Sequence, residues 1–267
     1  RVQDINPGSY ARSEGKIKAQ KFSALQIKSW FYPTLISGKP QTLFNWGLLR
    51  IFVDQNGFLS ACFNNSELIS SPFNLKTHIW YQLDFSVLVG GELKLTISSE
   101  LKSCTGSVQS KIDVGLVEKL QSQTEYFQIA GCQENSGESF NGKIEAPKFI
   151  VNDDEIAAWN FEESIQSLHV KASIGPDLVL KNSPTRGVTG QKWNGTEFCW
   201  KHDPSHYAAI YFHEDDIYDF GWEADFELVI PQGMPSGAYF MRLEAEGHYD
   251  CIPFFVCAAL GLSLIHI

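Results

Sequence analysis

The densest group of side chains able to do chemistry lies between residues 206 and 216. It contains His206, His213, Glu214, Asp215 and Asp216. Imidazole and carboxylate groups together suit Zn, Fe or Mn, whereas a run of carboxylates suits Ca²⁺. The spacing matches neither a His-Glu-x-x-His helix nor an EF-hand loop. Three interpretations therefore stay open: a polar loop bonded to nearby backbone and acids, a metal site, and a group that supports a neighbouring active site.

Three further carboxylates alternate along the chain at Glu223, Asp225 and Glu227. On a strand all three would share one face, because successive side chains point to opposite sides. Jelly-roll β-glucanases use such a strand, with two carboxyl groups held about 5 Å apart for a retaining mechanism. Here the group lies outside the strand-rich half, and the small residue Ala224 separates the first two acids. A solvated strand face is the favoured interpretation, and a β-glucanase is the weaker alternative.

Composition narrows the class of protein and of partner. The 267 residues are 43% hydrophobic and include 19 Phe, 9 Tyr and 7 Trp, which favours a packed, β-rich chain. The formal net charge of -10 argues against nucleic acid or an anionic membrane surface as a partner. The six cysteines are spread along the chain without a C-x-x-C pair, which favours reduced thiols and a cytoplasmic location.

Period-two alternation of apolar and polar residues dominates the first half of the sequence. In Ile79–Val89 the residues Tyr81, Leu83, Phe85 and Val87 share one face, and Leu83 and Phe85 are predicted to be buried. Asn56-Gly57 and Gly90-Gly91 supply turn residues for two hairpins. The other predicted strands are 25–32, 49–53, 58–63, 93–97, 127–131 and 143–150. Many short strands separated by turns predict a sandwich or barrel.

The rest of the sequence shows less regular alternation of apolar and polar residues. Only Ile112–Ser122 has a helical rhythm, and a short helix is predicted there. Residues 157–222 lack clean periodicity and predict a loop-rich segment. Strands are expected again at 224–230, 239–243 and 252–256, where they form a small antiparallel unit.

Two resemblances follow from particular residues. Ser29–Thr34, Gly131 and Phe140–Ile144 resemble laminin G and concanavalin-like sandwich domains. The second resemblance, to the large (β) subunit of N,N-dimethylformamidase and its relatives, is strongest from Pro184 to Asp219. It rests on five segments: Asn182–Gly195, His206–Asp219, Gly221-Trp222, Pro235–Tyr239 and Asp250–Val256.

The second resemblance implies an activity that the residues alone do not. Such proteins hydrolyse an amide to formate and a secondary amine. Their large subunit holds one iron through two tyrosines and a glutamate, and a small α subunit accompanies it. A homo-oligomer is also expected. The catalytic domain follows the Ile252–Val256 strand in such proteins, so no catalytic or iron-binding residue can be assigned here.

The sequence thus predicts a mainly β protein with three parts. Residues 1–151 are expected to form a concanavalin/laminin G-like antiparallel β-sandwich that begins inside its first strand region. Residues 152–256 are expected to be a β connector to a catalytic domain, with a loop-rich segment and a small antiparallel unit. Residues 257–267 are expected to be a non-native tail, because Leu-Ser-Leu-Ile-His-Ile resembles translated adapter sequence. The predicted function is a non-catalytic part of an iron-dependent amidohydrolase, inactive alone. A carbohydrate-binding lectin-like module is the alternative from another class.

Overall fold

The computed structural model describes residues 8–64, 66–131, 138–214, 223 and 227–257. The chain divides into two compact units, Arg1–Tyr218 and Asp219–Ile267. The described part of the first unit contains nineteen strands, one α-helix and two short 3-10 helices, Lys102–Cys104 and Pro204–Tyr207.

The strands of the first unit are short and follow one another closely. In the first half of the unit they are β1 (Tyr10–Ser13), β2 (Ile17–Lys18), β3 (Ala24–Pro33), β4 (Gln41–Trp46), β5 (Leu49–Val53), β6 (Phe58–Phe63), β7 (Ser66–Asn74), β8 (Tyr81–Leu88), β9 (Glu92–Ser99) and β10 (Gly106–Lys111). Helix α1 (Val114–Ser122) follows. The remaining strands are β11 (Thr124–Glu125), β12 (Phe127–Ile129), β13 (Gly142–Val151), β14 (Asp154–Trp159), β15 (His169–Val170), β16 (Ala172–Ile174), β17 (Leu178–Lys181), β18 (Thr185–Val188) and β19 (Ala209–Phe212).

Most of these strands form two sheets, in which every strand pairing is antiparallel. The first sheet has the order β15-β17-β1-β12-β4-β5-β6-β7. The second has the order β10-β9-β8-β3-β13-β14-β16, and the β18–β19 pair lies against the first half of β13. Strands β2 and β11 form a separate small pair. The predicted mainly β, sandwich architecture is confirmed.

The alternation in β3 and β8 explains how the second sheet covers the core. Every second residue of β3 is buried, and β8 buries Tyr81, Leu83, Phe85 and Val87 completely. The prediction for Leu83 and Phe85 is therefore confirmed. Because successive side chains of a strand point to opposite faces, these buried residues pack one face of the sheet against the core. The other face carries the polar residues.

Aromatic rings join the two sheets at the centre of the sandwich. Phe149 of β13 lies 5.0 Å from Trp46 of β4 and 5.6 Å from Phe127 of β12, measured between ring centroids. Phe127 also stacks on Trp159 of β14 at 5.4 Å. All four rings are almost fully buried, and burial of each large apolar side chain contributes about 1.5–3 kcal/mol.

The segment predicted to be loop-rich contributes strands to both sheets. Strand β17 pairs with β1 in the first sheet, and β19 pairs with β13 in the second. The boundary predicted at residue 151 falls in the turn between β13 and β14, which form a hairpin. These strands escape a search for periodicity because they have only two to six residues, and β14 buries three consecutive residues, 157–159.

The predicted helix is present as α1. The Asp113 side chain caps it by accepting a hydrogen bond from the Gly115 nitrogen, and the helix buries Val117 and Leu120. Nowhere in the described ranges is a helix both long and apolar enough to cross a membrane. Cys62, Cys104, Cys199, Cys251 and Cys257 are free thiols.

The described part of the second unit is one hairpin, β20 (Gly237–Ala245) with β21 (His248–Val256). Its turn residues Glu246 and Gly247 have φ of 49° and 81°, as a tight hairpin turn requires. The two predicted strands here are confirmed. The strand predicted at 224–230 is wrong for residues 227–230, which pair with no described strand, and residues 224–226 lie outside the described residues.

Candidate functional site

The first histidine of the predicted group lies in a short 3-10 helix. Nε2 of His206 is 3.6 Å from Oδ2 of Asp203, and Asp203 caps the helix by accepting hydrogen bonds from Ser205. The Ser205 hydroxyl and the nearby imidazole lower the pKa of the Asp203 carboxyl. Nδ1 of His206 is buried without a hydrogen-bond partner among the described residues. His206 therefore belongs to a local turn.

His213 and Glu214 contact another part of the sandwich. The backbone nitrogen of His213 donates to the Ser9 hydroxyl at 2.8 Å, and the Ser9 nitrogen donates to the His213 carbonyl at 2.9 Å. The His213 ring stacks on Tyr211 with centroids 5.4 Å apart. The Glu214 nitrogen donates to Oδ1 of Asn141 at 2.9 Å. Both residues thus tie the end of β19 to neighbouring loops.

The structure describes only part of the group predicted to bind a metal. Asp215 and Asp216 lie outside the described residues, as does Asp225. In the part of the chain that the structure describes, no three His, Cys, Asp or Glu side chains are grouped to hold a metal ion. Glu223 and Glu227 are exposed and belong to no described strand. A supporting role for the 206–216 stretch stays a prediction.

A different group of polar side chains lines a groove on the outer face of the second sheet. The groove has a volume of about 340 Å³, and its lining includes Trp30, Glu145, Ala158, Asn160, Glu162 and Lys192. Strand pairing positions the first two residues, because Trp30 of β3 lies opposite Glu145 of β13. The other wall comes from β14, the residues after it, and the loop at 191–192.

Glu145 is the most buried charged residue of this groove. Only 5% of its surface is exposed, and its Oε2 accepts a hydrogen bond from the Gln191 backbone nitrogen at 2.6 Å. Gly190 lets the loop approach this closely: a Cβ at residue 190 would lie 2.6 Å from the same oxygen. The loop therefore closes over a carboxylate that the strand would otherwise expose to solvent.

The electrostatics of the groove depend on this burial. Burial raises the pKa of the Glu145 carboxyl, and the Glu162 carboxylate adds to the shift. The Gln191 N–H, Lys192 and Lys143 act in the opposite direction. On the same strand, Nζ of Lys143 donates to the Thr189 carbonyl at 3.0 Å and to its hydroxyl at 2.7 Å. Burial lowers the pKa of the Lys143 ammonium.

Some of the other side chains in the groove already have an ion-pair or hydrogen-bond partner within the chain, and others do not. Lys148 forms an ion pair with Glu155 at 2.5 Å, and the Asn160 amide donates to Glu162 at 2.5 Å. No described ring or cation lies over the indole of Trp30. The arrangement offers a buried carboxylate, a second carboxylate and an open aromatic face. It suits binding of a small molecule.

Sequence reasoning missed this groove. Glu145 stands in a predicted strand next to Lys143, where an outward carboxylate looks solvated. The burial comes from a loop that lies 46 residues further along the chain. The available signal was a charged residue among apolar strand residues, Ile144 and Ala146, together with a glycine in the later loop.

The comparisons with known proteins define the class to which this sequence is similar. Residues 185–260 match the family model described as "N,N-dimethylformamidase beta subunit-like, C-terminal". The predicted resemblance to a dimethylformamidase large subunit is confirmed as a similarity, through this family match and two curated relatives.

Two particular relatives are β subunits of N,N-dimethylformamidase. The subunit from Alcaligenes sp is 34% identical over 46% of this chain and 20% of its own length. The subunit from Paracoccus aminophilus is 29% identical over 68% of this chain and 30% of its own length. The chain therefore spans less than a third of either relative.

Among solved structures, a putative carbohydrate-binding protein from Bacteroides ovatus overlaps with a TM-score of 0.46 and 11% identity. The overlap covers 67% of this chain and 60% of that one.

The resemblance implies an iron held by two tyrosines and a glutamate, and this stays a prediction for the complete protein. Three tyrosine hydroxyls of this chain, those of Tyr81, Tyr207 and Tyr239, already bond to backbone atoms. No reaction step through iron is derived from them.

Proposed function

We propose that this chain is a non-catalytic portion of an amide hydrolase of the N,N-dimethylformamidase type. The observation that carries the proposal is the reach of the similarity. A match over 68% of the chain is too long to lie within residues 185–260 alone, so it extends into the sandwich. The sandwich and the family segment therefore belong to one inherited unit.

The proposed role is to hold the segment that leads towards catalysis in a fixed position. Lys143 and Glu145 bind the loop at 189–191. Arg186 donates to the carbonyls of Phe161, Glu163 and Ser167. All of these contacts except the exposed bond to Glu163 are partly buried, which limits competition from water. Strand β13 supplies the sandwich side of the Lys143 and Glu145 contacts.

Substrate, cofactor and partners of the complete protein are part of the same proposal. We expect a small amide as substrate, hydrolysed to formate and a secondary amine, and a mononuclear iron held by residues other than those described here. The relatives are named β subunits, which supports a small α subunit as partner. A homo-oligomer and a cytoplasmic location complete the proposal.

The test is a sensitive amine-release assay on the purified, folded, iron-supplemented chain with dimethylformamide as substrate. The Paracoccus aminophilus enzyme is the positive control. We expect no turnover from this chain. Turnover that persists after further purification and disappears in a His213→Ala, Asp215→Ala double mutant would contradict the non-catalytic role.

The β-glucanase alternative needs a different assay. Nothing described favours it, since Glu223 and Glu227 are exposed and lie outside strands. Hydrolysis of a β-glucan that is lost in both Glu223→Gln and Glu227→Gln would favour it over the amidase proposal.

A further inference from the structure

The groove beside β13 combines features that a purely structural carboxylate does not need. Glu145 is almost completely buried, yet only Oε2 has a hydrogen-bond partner, the Gln191 nitrogen. No described residue donates to Oε1. The groove is open enough to hold a small molecule, and the indole of Trp30 forms part of its wall without a ring or cation over it. A buried anion and an open aromatic face thus line one cavity.

We propose that this groove binds a small organic ammonium ion, held between the carboxylates of Glu145 and Glu162 and the indole of Trp30. The proposal is independent of the proposed amidase function.

The electrostatics favour a cation over an anion. A carboxylate removed from water gains from a nearby positive charge, and two neighbouring carboxylates gain more. Lys192 and Lys143 offset part of the Glu145 charge, but neither forms an ion pair with it among the described residues. Lys148 is committed to Glu155, Lys192 is exposed, and Lys143 on the same strand donates to Thr189. A bound ammonium would place a positive charge between the Glu145 and Glu162 carboxylates, a position that none of these three lysines occupies.

The apolar part of the lining favours an organic ammonium over a metal ion. Ala146, Ala158 and Ala208 face the groove beside Trp30, and they suit alkyl substituents on nitrogen. Quaternary and alkylated ammonium groups are typically recognised by an aromatic face with carboxylates nearby. A metal ion would need several close oxygen or nitrogen ligands, and the described residues contain no such group. The volume of about 340 Å³ lies at the small end of ligand pockets.

The experiment is calorimetric titration of the whole chain with tetramethylammonium chloride, with tert-butyl alcohol as a neutral probe of similar shape. We expect saturable binding of the ammonium and none of the alcohol. Glu145→Gln keeps the shape and the acceptor for Gln191 but removes the charge, so affinity should fall about tenfold or more. Trp30→Leu should weaken binding by a similar factor. Glu118→Gln, an exposed acid on α1, is the matched control and should leave affinity unchanged.

Lys192→Gln tests the proposal without touching the buried carboxylate. Because Lys192 is an exposed cation at the groove, its removal should strengthen ammonium binding severalfold while the fold is kept. This variant decides the matter if Glu145→Gln does not fold. Affinity that is unchanged in the Glu145, Trp30 and Lys192 variants would overturn the proposal.

Three other outcomes would also overturn it: equal binding of alcohol and ammonium, no binding of either probe, or saturable binding of laminarihexaose in the same groove. The last outcome would assign the groove to a carbohydrate. A pH series adds a further check, since the groups that face Glu145 are Glu162, Lys143, Lys192 and the Lys148–Glu155 pair. Binding should weaken as acid protonates Glu145, and Glu145→Gln should remove that dependence.

Discussion

The backbone nitrogen of Gln191 lies 2.6 Å from Oε2 of Glu145, so a buried charge on the sandwich holds a loop of the segment that matches the family model. A hydrogen bond to a charged group contributes about 1.5–3 kcal/mol, and loss of the acceptor would leave a shielded N–H without a partner. The contact therefore constrains both the strand and the loop.

Gly190→Ala should destabilise the first unit by about 1–3 kcal/mol, because the new Cβ would lie 2.6 Å from Glu145 Oε2 and 3.3 Å from the Ala208 nitrogen. Urea unfolding followed by tryptophan fluorescence measures the effect. Gly90→Ala is the control, since a Cβ there meets no atom within 4 Å. In a Glu145→Ala background the cost of Gly190→Ala should shrink. Equal costs in both backgrounds would show that the two residues are not coupled.

Glu145→Gln should stabilise the protein at neutral pH. Burial raises the pKa of Glu145 in the folded state, so folding favours the protonated carboxyl and its ionisation reduces stability as pH rises through that raised pKa. The difference in unfolding free energy between variant and wild type should therefore shrink as pH falls towards the ordinary range for glutamate. Urea unfolding at neutral and acidic pH measures this. A difference that grows as pH falls would contradict the raised pKa of Glu145 in the folded state.

Phe149→Ala should cost about 3–5 kcal/mol, because it removes the ring that contacts Trp46 and Phe127 of the opposite sheet. Thermal and urea unfolding give the value. Phe198→Ala, at a residue that is 79% exposed, should change stability by no more than about 0.5 kcal/mol. Comparable losses at the two positions would contradict the assignment of Phe149 to the core.

Arg186→Lys should loosen the loop at 161–167. The guanidinium reaches three carbonyls from two nitrogens, and one ammonium cannot reproduce that planar geometry. A loss of about 2–3 kcal/mol and faster hydrogen exchange in residues 161–167 are expected. Arg242→Lys, an exposed arginine of the second unit, should leave exchange in that loop unchanged. Unchanged exchange in Arg186→Lys would rule out the loop as its target.

Shortening the chain to residues 1–151 should give a poorly folded protein. The shorter chain lacks β14, β17 and β19, which pair with β13 and β1, and it lacks the buried residues Trp159 and Phe161. A chain of residues 1–214 retains these contacts and is the comparison. Near-ultraviolet circular dichroism and dye binding should show a loosely packed core only in the shorter chain. Equal packing in both would support the predicted boundary at residue 151.

Strands marked by alternating apolar residues or by turn residues at their ends could be predicted from the sequence, and β3, the β5–β6 and β8–β9 hairpins and the final hairpin are confirmed. Each of them carries its own face pattern or turn residues. Strands β14 to β19 could not be predicted in this way, because they have only two to six residues, and β17 and β19 also pair with the distant strands β1 and β13. In β14 the consecutive burial of residues 157–159 hides the period of two.

The same contrast between local sequence patterns and distant pairing applies to the candidate site. The 206–216 stretch attracts attention because its imidazoles and carboxylates are adjacent in sequence, yet the structure uses His206 and His213 in separate local contacts. Glu145 and Gln191 are distant in sequence and form the groove only through the sheet. Local composition indicates which residues could do chemistry, and strand pairing decides which of them meet.

Strand β1 lies between β12 and β17, and Ser9 bonds to His213 across 204 residues of chain. On the ribosome, residues 10–13 leave the exit tunnel long before residues 178–181 are translated. Strand β1 must therefore wait for about 165 further residues before β17 can pair with it, and loop closure over such distances is slow. Until then the half-built sheet offers an open edge to other nascent chains, so the interval between synthesis of β1 and of β17 is the one in which chaperones matter most.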